Sequence, residues 1–476
     1  MKEGYIPKEQ RKRILLLTDD IRFPSGVGNV GKELVLHTSH RYNWYNLGAG
    51  INHPDKGKIF DISNDINNLA GINDAEVLIQ PNNGYGDPML LRRLMEQRQI
   101  DAIFLITDPR YFTWLFQIEN EIRSKIPIVY LNIWDDYPTP LYNEGYYESV
   151  DALLGISKQT VNINKLVLGD KAKNKLIDYV PHGLNTNMFK PLDMDSKEVI
   201  EFRKNLGAGK DKDFILFFNS RNIRRKQIPD TLLAWKYFLD QLPQEQADKC
   251  LFVLHTEIVS EAGTDLQAVT EAIFGVNTPY VKFSTQKLAP EQLNMLYNAA
   301  DAQILLTSNE GWGLSLTEAL LTGTPIIANV TGGMQDQMRF EDENGNWVDF
   351  DADFPSNHTG KYKTHGEWAF PVYPVARTLK GSPPTPYIWD DICRAEDAAD
   401  RIMELYEMGS EERKRRGMEG YKWATGNEAG FTSKHMADRV INAMEATFNN
   451  FQSREKFEFI NTSEYTSKTI PHKLLY

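Results

Sequence analysis

Two glutamates, Glu310 and Glu318, stand on either side of a glycine-containing turn. An apolar run typical of a strand precedes the turn, and a helical pattern follows it. The first N–H groups of a helix have no partner within it and lie at the positive end of the helix dipole. A strand, a glycine turn and a helix N-terminus in this order therefore predict an anion site. Its candidate contacts are Gly311, Trp312, Gly313, Leu314 and Ser315.

Two cations, Arg221 and Lys226, follow another apolar run at residues 214–219. Arginine offers a planar fork of donors and lysine a compact charge, and both suit phosphate oxygens. The pair is therefore predicted to bind phosphate from the loop after a strand. The neighbouring Arg224 and Arg225 are expected on an exposed charged face, the usual place for a run of charge.

The composition narrows the class of protein. The chain of 476 residues is long enough for two or three domains, and its two cysteines exclude a disulfide framework or a cysteine-based zinc site. A net charge of −12 argues against broad non-specific nucleic-acid binding. The sequence lacks a bilayer-length apolar run and a signal-peptide pattern, which predicts a cytoplasmic protein, with peripheral membrane association left open.

Short apolar runs alternate with amphipathic segments, a pattern that predicts parallel α/β architecture. Strands are expected at residues 13–18, 75–80, 102–106, 128–132, 152–156, 214–219, 251–256, 280–283, 302–306 and 325–328. Helices are expected at residues 30–38, 228–242, 290–299, 395–406, 411–423 and 433–448.

The strand series breaks at residues 180–192, which are rich in Pro, Gly and Asn and are predicted to form a linker. We therefore expect one domain at 1–185 and a second at 186–426, with C-terminal helices at 427–476 packing back on the first. Residues 338–391 are expected to form an irregular excursion that lies at the surface or contributes to acceptor or subunit contacts.

The glutamate segment resembles the large family four of retaining glycosyltransferases with the GT-B fold, glycosyl transferases group 1. In that family two glutamates separated by seven residues surround a G-F-G-L turn, and Trp312 stands here where Phe is usual. Arg221 through Lys226 resembles the family's G-R-x-x-x-x-K element. Other sequence landmarks of the family are similar to residues 156–157, 181–189, 280–286 and 300–301 of this chain. The likeness is firm over 152–328, looser before and weak after 333.

This resemblance implies two Rossmann-like domains facing a cleft. It further implies transfer of a sugar, with retention, from a UDP- or GDP-linked donor to a hydroxyl acceptor, with neither metal nor cofactor. Arg221, Lys226 and Glu310 would then be catalytic, Glu318 would bind the ribose hydroxyls, and Phe283 would lie on the donor side. The acceptor stays open between a glycan, a lipid-linked sugar, a small molecule and modified nucleic acid.

The resemblance also implies that two other segments lie near the acceptor. A glycine-bearing loop with Gly26 and Gly28 resembles the family's first loop, near the acceptor. It also fits the dinucleotide pattern G-x-G-x-x-G, but the loop is long and no acidic residue ends a second strand about twenty residues later. Asp135 and Asp136 follow a strand where relatives carry a His-Asp pair, and Trp134 takes the histidine position. They would orient an acceptor hydroxyl, or cap the next helix.

Three alternatives remain at this stage. Ser315 and Glu318 fit the Ser-x-x-Glu capping box, which would give Glu318 a structural role alone or in addition to binding. A sugar phosphorylase or nucleotide-sugar epimerase would use the same fold. A non-catalytic sugar-nucleotide-binding protein is disfavoured by the intact set of cations and glutamates. The histidines and carboxylates lack metal-ligand spacing, so no metal is expected.

Overall fold

A computed structural model describes residues 3–49, 53–351 and 356–455. The chain divides into two compact units. Unit 1 comprises Met1–Gly183 with Ser433–Tyr476, and unit 2 comprises Leu184–Thr432.

The described part of unit 1 contains one eight-stranded sheet with the order β3-β4-β2-β1-β5-β6-β7-β8. All neighbours pair in parallel except β3 and β4. The strands are β1 Lys12–Asp19, β2 Tyr42–Ala49, β3 Phe60–Asp61, β4 Val77–Pro81, β5 Ala102–Ile106, β6 Ile128–Asn132, β7 Ala152–Gly155 and β8 Leu176–Tyr179. The helices are α1 Gly26–Thr38, α2 Ser63–Ala70, α3 Pro88–Arg98, α4 Thr113–Phe116, α5 Glu119–Arg123, α6 Glu144–Glu148 and α7 Lys158–Leu168, joined by the C-terminal helix Ser433–Asn450.

The described part of unit 2 contains a six-stranded parallel sheet with the order β11-β10-β9-β12-β13-β14, and a separate hairpin, β15-β16. The strands are β9 Phe214–Asn219, β10 Cys250–His255, β11 Val281–Ser284, β12 Ala302–Leu305, β13 Ile326–Asn329, β14 Ala369–Val372, β15 Ala376–Ser382 and β16 Thr385–Ile392. The helices are α8 Lys197–Leu206, α9 Ile228–Asp240, α10 Gln244–Ala247, α11 Leu266–Phe274, α12 Pro290–Ala299, α13 Leu314–Leu321, α14 Met334–Met338, α15 Ala395–Glu407 and α16 Gly409–Thr425.

Central strands such as β5, β6 and β9 are apolar runs that are buried along almost their whole length, as in parallel sheets covered on both faces. Residues 214–218 of β9 are all buried, and the ring of Trp235 on α9 stacks near Phe214 with centroids 6.3 Å apart. The expected α/β class with two parallel-sheet units is therefore confirmed. Among the described residues, no helix has the length and apolarity needed to cross a bilayer.

Two parts of the secondary structure differ from what the sequence predicted. Strand β2 was not predicted because its polar residues obscure its strand character, although the strand is buried throughout. Asn46 fits there because its amide donates to the carbonyl of Leu16 and accepts from the N–H of Ile21. The excursion at 338–391 is not irregular throughout, because β14, β15 and almost all of β16 lie within it. Pro383 and Pro384 form the turn of the hairpin, where missing N–H groups cost nothing.

Strand order determines where ligands bind in such sheets. In unit 1 the connections diverge between the neighbouring strands β1 and β5, and in unit 2 between β9 and β12. Loops leave these strands in opposite directions and open a crevice at the carboxyl edge, the usual ligand site of open α/β sheets. The predicted cations follow β9 and the glutamate turn follows β12, so both border the crevice of unit 2.

Candidate functional site

The loop after β9 is held in place by Asn222. This residue is 1% exposed, and its amide donates to the carbonyls of Thr264 and Ile258 at 2.7 and 3.2 Å. A Cβ at Gly263 would lie 2.0 Å from the Asn222 side chain, so glycine is required where the two loops touch. Asn222 was not predicted from the sequence, since an asparagine in a loop carries no distinctive signal.

Two cations of this loop converge on Glu310. Arg225 Nη1 lies 2.9 Å from Glu310 Oε2, and Lys226 Nζ bonds the same oxygen. Burial alone would raise the pKa of Glu310, but the two cations outweigh it and lower the pKa to about 2. Glu310 is therefore ionised at neutral pH beside two positive charges.

This arrangement changes the assignment of the cations. Lys226 is buried against Glu310, whereas Arg221 is exposed. Among the described residues, none forms a side-chain hydrogen bond or an ion pair with the Arg221 guanidinium. The expectation of an exposed charged face holds for Arg224, but it is wrong for Arg225, which also donates to the carbonyl of Asn309.

The glutamate turn leads directly into α13. Gly313 caps the helix with φ +87°, a left-handed conformation that favours glycine, and the helix begins at Leu314. Ser315 lies inside the first turn and does not cap, so the capping-box interpretation of Glu318 is wrong. The amides of Leu314 and Ser315 lie in the first turn, where no intrahelical acceptor is available.

Two later glycines hold the backbone of Glu310. The N–H of Gly333 donates to the Glu310 carbonyl at 3.0 Å. Gly332 has φ +53°, and a Cβ there would stand 2.1 Å from the same carbonyl oxygen. This pair joins the loop after β13 to the glutamate turn, a contact that the sequence analysis did not anticipate.

Trp312 belongs to the core of unit 2. It is 2% exposed, its ring meets Phe431 edge-to-face at 4.9 Å, and its Nε1–H donates to Thr317 Oγ1 at 2.8 Å. The tryptophan at this position therefore fills space behind the turn. Because this side chain is buried, only the backbone of Trp312 is left for the predicted contact with the donor. The same is true of Gly311, which has no side chain.

Glu318 has neutral partners. The Tyr297 hydroxyl donates to Glu318 Oε2 at 2.5 Å, and the amide of Asn219, at the end of β9, donates to it at 3.2 Å. Burial outweighs these hydrogen bonds and raises the pKa of Glu318 to about 7. Phe283 is not brought to either glutamate, because it lies half-buried on the edge strand β11, separated by β10 and β9 from β12.

In unit 1 the predicted glycines shape the loop after β1. Ser25 caps α1 by accepting from the N–H of Gly28 at 2.9 Å, and Gly26 is the first helical residue. A Cβ at Gly28 would lie 2.8 Å from the carbonyl of Phe23, so this glycine serves close packing. Asp19, which was not predicted as a site residue, ends β1 and accepts hydrogen bonds from the side chains of Ser25 and Tyr85.

Asp135 and Asp136 follow β6 and are partly exposed. Their carbonyls are tied down: Gln159 Nε2 donates to that of Asp135 at 2.6 Å, and Trp134 Nε1 donates to that of Asp136 at 2.9 Å. These bonds fix the loop. In the part of the chain that the structure describes, no cluster of three His, Cys, Asp or Glu residues could hold a metal ion.

Comparison with solved structures identifies the fold. The chain resembles the structure of Anabaena HepE in complex with UDP and glucose. The TM-score is 0.60 and the sequence identity 14%, and the match covers 92% of this chain and 100% of the other. It resembles the sucrose-phosphate synthase of Thermosynechococcus elongatus with TM-score 0.63 and 14% identity, over 92% of this chain and 100% of the other. These likenesses establish the GT-B fold.

Residues 198–353 match the family Glycosyl transferases group 1. These residues lie within unit 2, and the resemblance drawn from the sequence is confirmed. An uncharacterized glycosyltransferase of Methanocaldococcus jannaschii is 24% identical over 46% of this chain and 52% of its own length. The alpha-monoglucosyldiacylglycerol synthase of Streptococcus pneumoniae is 28% identical over 50% and 53%. The match thus spans about half the length of these relatives.

Proposed function

We propose that the protein transfers a sugar from a UDP- or GDP-linked donor to a hydroxyl acceptor, with retention at the anomeric carbon. The observation that carries this proposal is the convergence of Arg225 and Lys226 on Glu310 at the crevice between β9 and β12. Cations, a fixed carboxylate and a helix N-terminus are the groups that a diphosphate leaving group and a reacting sugar require.

In this mechanism Lys226, Arg225 and the exposed Arg221 bind the diphosphate and stabilise the charge that grows on it. The acceptor oxygen attacks the anomeric carbon as the bond from that carbon to the diphosphate breaks. The acceptor proton passes to a phosphate oxygen on the same face. Glu310, held ionised, contacts the sugar at its reacting end. Glu318 accepts hydrogen bonds from ribose hydroxyls, and the amides of residues 311–315 face the phosphates.

Unit 1 is proposed to bind the acceptor, with the loop at Gly26 and Gly28 and the side chains of Asp135 and Asp136 on that side. The boundaries 1–185 and 186–426 are proposed for the two functional domains. A cytoplasmic location is proposed from the low cysteine content, which suits a reducing compartment.

The reaction is proposed to need neither a metal nor another cofactor, since phosphate charge would be met by side chains and backbone. Transfer assays in excess EDTA test this directly. Activity within about twofold of the untreated enzyme is expected. Loss that manganese or magnesium restores would contradict it.

The function itself is tested in two stages. A thermal-shift panel of UDP-, GDP- and ADP-sugars identifies the donor, because a ligand that binds only the native state raises stability. Release of the free nucleoside diphosphate is then followed with and without candidate acceptors. Acceptor-dependent release is expected. Interconversion of the donor sugar without release would indicate an epimerase, and phosphate-dependent release of a sugar phosphate would indicate a phosphorylase.

A further inference from the structure

An exposed aromatic face borders the crevice of unit 1. Tyr111 lies in the turn Pro109–Phe112 directly after β5 and is 54% exposed. Its ring stacks on Tyr85, with centroids 4.6 Å apart and planes inclined by 23°. Tyr85 follows β4, so the stack rests on two loops at the carboxyl edge of the sheet. One side of the Tyr111 ring is thus supported while much of its surface remains open.

A carboxylate adjoins this stack. Asp19, at the end of β1, accepts from the Tyr85 hydroxyl at 2.7 Å and from Ser25 Oγ at 2.5 Å. These bonds orient the carboxylate but use two of its roughly four lone-pair sites. Because β1 and β5 are the neighbours between which the connections diverge, Asp19 and Tyr111 come from the two loops that border the crevice.

We propose that the Tyr111–Tyr85 stack and Asp19 bind the acceptor, and that the acceptor is a neutral sugar. A pyranose ring has an apolar face of C–H groups that packs on an aromatic ring, while its hydroxyls donate to a carboxylate. An acceptor bearing phosphate next to these groups would meet the negative charge of Asp19. The inference rests on the proposed function, which supplies a donor for this acceptor.

The test measures sugar binding apart from donor binding. Saturation-transfer NMR with glucose, galactose and mannose is recorded on the wild type, Tyr111→Ala, Tyr111→Phe, Asp19→Asn and a surface control, Leu69→Ala. Leu69 is 64% exposed on α2. Calorimetry with UDP and GDP runs in parallel.

At least one sugar is expected to bind the wild type, Tyr111→Phe and the control within twofold of one another. Tyr111→Ala and Asp19→Asn are expected to bind it at least fivefold more weakly, with nucleotide affinity unchanged. Equal binding by Tyr111→Ala, or no binding of any of these sugars, would overturn the inference. If nucleotide still bound, the proposed function would survive that failure. Absence of nucleotide binding in the wild type would instead count against the function.

A separate observation concerns the base of the β15–β16 hairpin. Asp390 is 4% exposed, and its Oδ1 accepts from Ser308 Oγ at 3.0 Å and from Asn309 Nδ2 at 2.7 Å. The N–H of the next residue, Asp391, donates to the Ser308 carbonyl at 2.9 Å. The hairpin therefore holds the two residues that precede Glu310.

The same segment also contacts the loop after β9, because the Asn309 carbonyl accepts from Arg225. We infer that Asp390 is a positioning residue for Glu310, acting through Asn309. Its two accepted hydrogen bonds depend on oxygen rather than on charge, so asparagine can replace it. Lys380 pairs with the other carboxylate oxygen from a half-exposed position, which makes Lys380→Met the matched control.

Hydrogen exchange over residues 306–313 and transfer kinetics test this inference together. Asp390→Ala is expected to speed exchange there at least tenfold and to lower kcat at least tenfold with donor KM within threefold. Asp390→Asn and Lys380→Met should keep both readouts within threefold of the wild type. Unchanged exchange in Asp390→Ala, or an equal loss in Asp390→Asn, would overturn it. If Asp390→Ala fails to fold, Asn309→Ala must show the faster exchange instead, and exchange reports on positioning even without transfer activity.

Discussion

Glu310 and Glu318 belong to one loop-helix segment, yet their pKa values shift in opposite directions. Glu310 faces Arg225 and Lys226, and its pKa falls to about 2 despite burial. Among the described residues, the hydrogen-bond donors to Glu318 are the neutral side chains of Tyr297 and Asn219, and burial raises its pKa to about 7. The same residue type thus supplies a permanent anion at one end of the segment and a group that titrates near neutrality at the other.

The two shifts act oppositely on stability. The pKa of Glu310 is lowered on folding, so its contribution is present above the unfolded value near 4.5 and is lost as pH falls toward 2. The pKa of Glu318 is raised, so between about 4.5 and 7 the unfolded state releases its proton first. Stability from Glu318 therefore decreases as pH rises through that window.

Replacing the permanent anion should have the largest effect. Glu310→Gln is expected to lower kcat at least about 100-fold, since an interaction used in the transition state appears in kcat. The change also leaves two cations without their counter-charge. It should therefore destabilise the protein by about 1–3 kcal/mol at pH 7, less than a fully buried pair because Arg225 is a third exposed.

Saturating nucleoside diphosphate should restore part of that stability, because its phosphates supply the missing negative charge. Melting curves with and without the nucleotide check this. Near-normal kcat in Glu310→Gln would mean that the glutamate is scaffold, and that the catalytic group must be sought near Asp135.

The cations of the same loop allow a matched pair of variants. Lys226→Ala should weaken nucleoside-diphosphate binding by about 1–3 kcal/mol, the range for a charge-assisted hydrogen bond. Arg224→Ala removes an exposed charge two residues away and should change affinity less than twofold. The loss of affinity in Arg221→Ala is expected to lie between the losses in these two variants. Affinities are measured by calorimetry. Equal losses of nucleoside-diphosphate affinity in Lys226→Ala and Arg224→Ala would mean that the loop attracts the nucleotide only by its overall charge.

Replacing Glu318, whose pKa is raised to about 7, should have a smaller and pH-dependent effect. If ionised Glu318 accepts ribose hydroxyls, donor KM should fall severalfold between pH 6 and 8, and Glu318→Gln should flatten that profile. The variant should also be more stable than the wild type at pH 8, on the order of 1 kcal/mol, with little difference at pH 5. A donor KM with the same pH profile in both proteins would remove Glu318 from the ribose site.

Much of the site was predictable from contiguous sequence. Strand-like runs that end at polar residues located the carboxyl edge, and the glycine turn before a helical pattern identified Glu310 and the start of α13. Lys226 was identified by its distance from the end of β9. These features are local, because each depends on the alternation, spacing or conformational preference of neighbouring residues.

Other features depend on which strands become neighbours. The sequence predicted Arg224 and Arg225 alike, but only Arg225 reaches Glu310, since β9 lies beside β12 in the sheet. Gly332, Asn222 and Asp390 act on loops distant in sequence, so no local pattern marks them. Glu318 resembled a capping residue until the helix was seen to begin at Leu314.

The sequence by itself determined the α/β class, the family resemblance and the identities of the two glutamates, since periodicity and short motifs are written in consecutive residues. Tertiary structure alone decided their charge states. A carboxyl pKa depends on burial and on the charges within a few ångströms, and here those neighbours come from β9, α12 and the loop after β9, which only folding brings together.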